Sequence, residues 1–314
     1  MINRSLIRLK ALQLLYAYYK NEDKSRSDVE KELLMSMGKA YDLYNYLLLL
    51  LIQVTRYASE VLYEKEEINK VTHNDVVLSH RFIDNRFVLQ LERNKQLHEF
   101  NSHKHLTWED KPDYIKYLYN TIITSKEYEE YMSSTEDSYE QDKSLWRHLY
   151  KQVIMKDEKI YDILEEENLY WNDDKEIIDT FVIKTIKKFK EENGAEQELV
   201  PEFRDEEDRE FAIRLMSRTI SNDKYYRSLI KESTRNWEVE RIAFMDLLLM
   251  QMAIAEMLSF PEIPVHVSIN EYIELANIYS TPKSGKYING VLDHLSRRLH
   301  AEGALLKPLK QTKE

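Results

Sequence analysis

The sequence predicts an all-α protein, and three observations predict it. Its 314 residues include 5 glycines and 6 prolines, far below the average of roughly 12% for the pair, so the tight connections of an all-β fold lack their residues. Leu, Lys, Glu and Tyr dominate instead, and most of these are good helix formers. Apolar residues also recur at i, i+3 and i+4 in several stretches, the spacing of one helix face.

The elements follow in order, with prolines marking most breaks. A first helix is expected at 3–20. Its basic start and apolar Ala11–Tyr19 resemble a secretion signal, but three tyrosines fall in that stretch and Lys20-Asn21-Glu22-Asp23 follows without small residues. It reads as a helix buried in the fold with a protruding basic tip. An acidic, Tyr-rich region at 21–202 carries helical patterns near 28–66, 75–100, 112–132, 142–168 and 174–192, and Glu191–Glu196 reads as a surface linker. A compact helical unit then spans 203–303, with a tail at 304–314. Within it, 207–230 is helical. Ile242–Leu258 is apolar nearly all round, broken by Asp246, Gln251 and Glu256, and reads as a central buried helix. Ser268 with Glu271 forms a capping box opening a helix at Ile269–Tyr279. The last helix carries Tyr287, Ile288, Val291, Leu292, Leu295 and Leu299 on one face, and Gly303 stops it. Gly290 inside that helix costs about 1 kcal/mol relative to alanine, a cost expected to reflect close approach of another backbone.

Composition bounds the chemistry. The absence of cysteine excludes disulfides, thiolate nucleophiles and cysteine-ligated metals. The longest apolar run, Tyr46–Ile52, is far short of the ~20 residues of a membrane span, so no membrane partner is expected and the cytoplasm fits. His98, His103 and His105 lack the i, i+4 spacing of helix-borne ligands and fall in an expected loop, so no metal is assigned. Ser284-Gly285-Lys286 matches only the end of a phosphate-binding loop: Ser280 stands where glycine is required, and Tyr287 where a hydroxyl residue is required. Glu165-Glu166-Glu167 and Asp173-Asp174 read as solvated charge runs. Neither catalysis nor a cofactor is expected.

The net charge of −11 is uneven. Residues 1–20 carry +4, 21–202 carry −14 and 203–314 carry −1. The total argues against nucleic acid, but binding depends on local patches. Arg4, Arg8, Leu12, Tyr16 and Tyr19 share one sector of the first helix at about 100° per residue. An arginine pair with a tyrosine can hold a phosphate and stack a base; alternatively the arginines neutralise acids and Tyr16 is core. Lys283, Lys286 and Tyr287 form a second basic-aromatic patch at a helix N-terminus, which favours anions, or else an ordinary solvated loop.

The two ends resemble the NusB family of transcription antitermination factors. The residues carrying the likeness are Arg4 and Arg8 with Ala11-Leu12-Gln13-Leu14-Leu15-Tyr16, then Arg241-Ile242-Ala243, Asp246 and Glu256-Met257-Leu258. They continue through Ile263-Pro264, Val267-Ser268-Ile269-Asn270-Glu271, Ile273-Glu274-Leu275-Ala276 and Lys286-Tyr287-Ile288-Asn289-Gly290-Val291-Leu292-Asp293. The likeness covers about 20 residues at the start and 100 at the end, and leaves 21–202 as a helical insertion after the first helix. It implies an orthogonal helical bundle with a large additional helical region. It also implies binding of single-stranded boxA-type RNA together with the small-subunit ribosomal protein that acts as NusE, within the transcription elongation complex on ribosomal RNA operons. On this basis Arg4, Arg8, Gln13, Tyr16, Lys283, Lys286, Tyr287 and Asn289 are expected on one composite RNA face, and Asp246 on a side facing the ribosomal protein. The start holds fewer arginines than the family's, Tyr287 replaces a usual phenylalanine, and Lys283 stands where acids are common. Two alternatives remain: a protein–protein scaffold of the same fold that does not bind RNA, and an RNA methyltransferase carrying a NusB-like domain. The lack of cysteine and of a glycine-bearing, strand-rich segment sets the second aside.

Overall fold

A computed structural model describes residues 3–21, 25–73, 76–203, 205–234 and 242–305. Among these the chain is mostly helical, with fourteen α-helices. No described helix is long and apolar enough to cross a membrane. Helix α1 is Arg4–Lys20 and α2 is Arg26–Val71. The chain forms two compact units, Gly38–Glu202 and Ile2–Met37 with Phe203–Glu314, so the division falls inside α2.

The unit Gly38–Glu202 holds the rest of α2 and seven further helices: α3 (Arg86–Glu92), α4 (Lys95–Lys104), α5 (Pro112–Ile123), α6 (Lys126–Ser133), α7 (Tyr139–Leu149), α8 (Lys159–Glu167) and α9 (Trp171–Lys188). Long helices expected from periodicity are cut by caps. Asn85, Asn94, Ser125 and Ser138 each accept a backbone N–H of the following first turn, which satisfies a donor that an uninterrupted helix would otherwise bond. The stretch expected as one helix at 75–100 is therefore α3 and α4. His98 and His103 lie on α4 rather than in a loop, and His105 caps it in the left-handed region (φ 54°). The aromatic richness is largely core. The rings of Tyr46 and Trp108 stack 4.1 Å apart, with Tyr114 and Trp171 against them, and Trp108 Nε1 donates to the Tyr46 carbonyl. Asp174, expected on a solvated face, is fully buried. Buried Lys175 pairs with Asp179, which also accepts from Tyr150 OH.

The second unit joins α1 and the start of α2 to α10 (Glu206–Ser221), α11 (Asp223–Ser233), α12 (Phe244–Ser259), α13 (Val265–Tyr279) and α14 (Ser284–Ala301). Helix α12 is its axis, packed by α1, α10, α11, α13 and α14. It is buried from Asp246 to Met257, as its all-round apolarity predicts. Its three polar residues are spaced by five, which rotates each about 140° from the last, so each meets a different neighbour. Asp246 accepts from Ser280, which caps α13, and from Ser284 at the start of α14. Gln251 donates to Asp223 of α11. Glu256 takes Arg8 of α1 with Ser268 and Tyr272 of α13.

Three expectations are corrected here. Helix α13 starts at Val265, directly after Pro264, and Ser268 is a buried interior residue donating to Glu256 rather than a cap. Gly290 faces open space; the crowded glycine is Gly285, where a Cβ would lie 2.4 Å from Asn277 Oδ1. Of the basic residues expected to protrude at the tip of α1, Arg4 is partly exposed but Arg8 and Lys10 are buried, at 3% and 1%. Gly303 does end α14, with φ +71° and the Ala304 N–H returning to the Leu299 carbonyl. Of the expected features, Arg241 and residues 306–314 of the tail lie outside the described residues.

Candidate nucleic-acid interface

The two expected patches occupy opposite ends of α12. Helix α1 runs antiparallel to it: Arg8 meets Glu256, and Tyr16 meets Phe244 with ring centroids 5.4 Å apart. Glu256 and Asp246 are ten residues apart, so the arginine end lies ~15 Å along the axis from the α13–α14 loop at 1.5 Å per residue.

At the arginine end the positive charge is already matched. Arg8 Nε and Nη2 donate to both oxygens of Glu256 at 2.7 and 2.8 Å, and Nη1 reaches Glu271 at 3.0 Å. Burial alone would lower the guanidinium's pKa, but its hydrogen bonds to Glu256 and that carboxylate's charge outweigh burial and raise it. Ser5 also donates to Glu271. Arg4 is partly exposed and pairs with Asp208 at 3.3 Å, Glu262 at 3.5 Å and Glu207 at 3.9 Å. Both guanidinium carbons sit over the Phe211 ring, at 5.1 and 5.3 Å from its centroid. The expectation that Arg8 stands on an exposed face is corrected: its fork is filled by carboxylates of α12 and α13.

At the other end the exposed cations pair with no described carboxylate. Lys283 precedes α14 and Lys286 lies in its first turn; both are exposed, and neither forms an ion pair with a described residue. Ile242, Ala243, Asp246, Thr281, Lys283, Ser284 and Tyr287 line an open groove of about 300 Å³. Tyr287 is half-buried in it. Burial, and then the nearby Asp246 charge, push its phenol pKa up, and the hydroxyl makes no hydrogen bond with a described residue. Ala243 adjoins Phe244, which carries Tyr16 on one side and the Lys20 ammonium 4.6 Å from its centroid. Lys20 is also 5.8 Å from the Tyr16 ring, and Tyr16 is 39% exposed.

The expected site residues therefore divide. Tyr16, Lys283, Lys286 and Tyr287 gather around the loop end of α12. Asn289 is exposed one turn further along α14, in a groove with Asn270 and Asp293. Gln13 is half-buried on α1. Arg4 and Arg8 lie at the far end. Asp246, expected on a side facing a partner, is buried, and both oxygens accept serine hydroxyls at 2.5 and 2.9 Å. Sequence reasoning missed Lys20 and Phe244. Lys20 follows Tyr19 and lies four residues after Tyr16, a signal that could have singled it out, and Phe244 sits in an apolar run that reads as core.

Comparison with known proteins gives one family. The NusB family model matches residues 179–297. The chain is 40% identical over 132 residues to a transcription antitermination protein NusB of Salinibacter ruber, a match covering 40% of this chain and 82% of that protein. It is 40% identical over 99 residues to the protein of that name from Chloroherpeton thalassium, covering 32% of this chain and 47% of the relative. The Natranaerobius thermophilus protein of that name is 42% identical over 86 residues, covering 27% and 62%. A solved structure of T. maritima NusB matches at 29% identity and a TM-score of 0.29, over 37% of this chain and 82% of that one.

Proposed function

This chain belongs to the NusB family, and we propose that it is a non-catalytic transcription antitermination factor that binds single-stranded boxA-type RNA in the cytoplasm. In this reading it acts with the small-subunit ribosomal protein that serves as NusE, in the elongation complex, and residues 21–202 are an insertion into the family fold. The names of its relatives support antitermination. The observation that supports an RNA face is the aromatic and lysine cluster at the loop end of α12: Tyr16, Lys20, Phe244, Lys283, Lys286 and Tyr287. Ammonium groups that no described acid pairs with, beside accessible rings, are what a single strand requires, since lysines meet phosphates and rings stack bases. Asn289 extends the face along α14. Arg4 and Arg8 serve it indirectly, by fixing α1 so that Tyr16 and Lys20 reach Phe244.

Fluorescence anisotropy with a boxA-like RNA, with and without the ribosomal protein, tests this. Tyr287→Ala should weaken binding by roughly 1–3 kcal/mol if its ring stacks on a base. Equal affinity for a scrambled RNA would sink the reading. A second reading, a scaffold of the same fold that does not bind RNA, is favoured by the neutralised arginines. It predicts capture of the ribosomal protein with no RNA-dependent anisotropy change.

A further inference from the structure

The acidic total of the unit Gly38–Glu202 conceals a basic face. Residues 139–154 and 180–190 together hold seven lysines and arginines and two acids, within a unit whose net charge is −12. Neither acid opposes the exposed cations. Asp142 is buried and accepts from Tyr131 and Arg86, and Glu140 pairs with Lys143.

The fold places these two segments side by side. Helix α7, continued by a π-helical turn at Tyr150–Ile154, packs on α9. Lys143 Nζ donates to the Phe189 carbonyl and Tyr150 OH to Asp179, so the two helices are antiparallel and Arg147 is level with the middle of α9's second half. Lys184, Lys187 and Lys188 share the exposed side of α9, Lys151 is exposed, and Arg147 is half-exposed. None of the five makes an ion pair with a described residue. A helix dipole favours a cation in a last turn, but it gives no reason for two antiparallel helices to bring their cations together. Neighbours at i, i+3 and i+4 are ~5–6 Å apart, a spacing that successive phosphates of a strand can follow. The aromatic residues of these segments, Tyr139, Trp146, Tyr150, Phe181 and Phe189, are buried, so no ring is offered to a base.

We propose that this α7/α9 face, centred on Arg147, Lys151, Lys184, Lys187 and Lys188, binds the phosphate backbone of single-stranded RNA without regard to sequence. Charges without stacking platforms position a strand and do not read it. Glu191 and Glu192 follow the end of α9, where Glu192 pairs with Lys190; exposed charges more than about 8–10 Å from the five cations are screened at physiological salt. The choice of RNA among polyanions rests on the function proposed above; the cationic face does not.

The test uses the full chain and a fluorescein-labelled oligouridylate of about 30 nucleotides, which carries no boxA. Binding is followed by anisotropy across a salt series for the parent, Lys184→Gln/Lys187→Gln/Lys188→Gln and Arg147→Gln/Lys151→Gln. Glutamine keeps the helix propensity, and thermal melts confirm that folding is unchanged. At about 0.7 per phosphate contact on a single strand, the slope of log K against log salt should fall by about 2 for the triple variant and about 1.4 for the double. The same decreases should recur in a Tyr287→Ala background, which separates this face from the boxA site: a failure of boxA recognition leaves the decreases in place. Unchanged slopes in both variants overturn the proposal. So does a triple variant that keeps its RNA slope while losing co-sedimentation with phosphatidylserine vesicles, which would assign the face to a membrane surface.

Discussion

Arg8→Ala separates a structural arginine from an RNA ligand. In the native fold its guanidinium makes three hydrogen bonds, two to Glu256, which is 0% exposed, and one to Glu271. Removing it leaves Glu256 in the core with only the Ser268 and Tyr272 hydroxyls. Breaking a buried pair by deleting one partner costs about 3–5 kcal/mol, because the surviving charge has lost both water and counter-charge. At roughly 2–4 °C per kcal/mol for a unit of this size, the melting transition should fall by about 6–20 °C. The assay is thermal and urea unfolding followed by far-ultraviolet circular dichroism. Adding Glu256→Gln should recover part of the loss, since Gln still accepts from the two hydroxyls but carries no charge, and the cycle should be clearly non-additive. An RNA ligand behaves differently: its removal leaves stability nearly unchanged and lowers the salt slope of RNA binding by about 0.7. Stability within 1 kcal/mol of the parent, roughly, together with that slope change would refute the reasoning.

The remaining predictions concern the same unit and the buried phenols. Gly290→Ala should stabilise by about 0.5–1 kcal/mol, since its site is open and helical; Gly285→Ala should gain less or lose, because Asn277 must swing away, and paired urea titrations rank the two. Asp246→Ala should destabilise by about 1–3 kcal/mol through its two lost serine bonds and weaken RNA binding by loosening the turn that carries Lys283, which anisotropy reads separately. Lys20→Gln should lower the salt slope of boxA binding by about 0.7 and leave the melting temperature within about 2 °C. Burial raises the pKa of Tyr44, Tyr150 and Tyr272 in the folded chain. A group raised above its unfolded value stabilises fully below that value, near 10, and this contribution is lost as pH rises beyond it; these phenols should ionise only with cooperative unfolding in an ultraviolet titration.

The sequence carried the helical class and the central helix because both are written as periodicity: a run apolar all round, like Ile242–Leu258, has few alternatives to burial. It did not carry the fate of its polar interruptions. Asp246, Gln251 and Glu256 look alike in sequence, and only the three directions imposed by their five-residue spacing show that each fastens a different helix. Breaks were legible where proline made them, as at Pro264, and missed where Asn85 and Asn94 made them, since an asparagine cap is recognisable only once the helix after it is known. The two basic-aromatic patches were placed by residue type, and type does not report distance along an axis. Arg4 and Arg8 share a sector with Tyr16 on a helical wheel, yet the wheel projects away the ~12 Å of rise between Arg8 and Tyr16.

That rise decides how charge is used. A buried carboxylate on α12 requires a cation, and the first helix supplies it from Arg8, so this arginine is held by Glu256. The same helix delivers Lys20 five residues beyond the buried stretch, where Phe244 gives it a ring and no described acid claims it. Cations near the N-terminus of α1 therefore specify the position of the helix, and the one at its C-terminus is left to meet a ligand. If this division holds, transplanting charge should fail in one direction only. An arginine in place of Lys20 should keep RNA binding, because the guanidinium stacks on aromatic faces as well. A lysine in place of Arg8 should lose stability, because one ammonium cannot span both oxygens of Glu256 and also reach Glu271. Melting temperature and RNA affinity measured on Lys20→Arg and Arg8→Lys decide it, and equal stability of the two variants would count against the division.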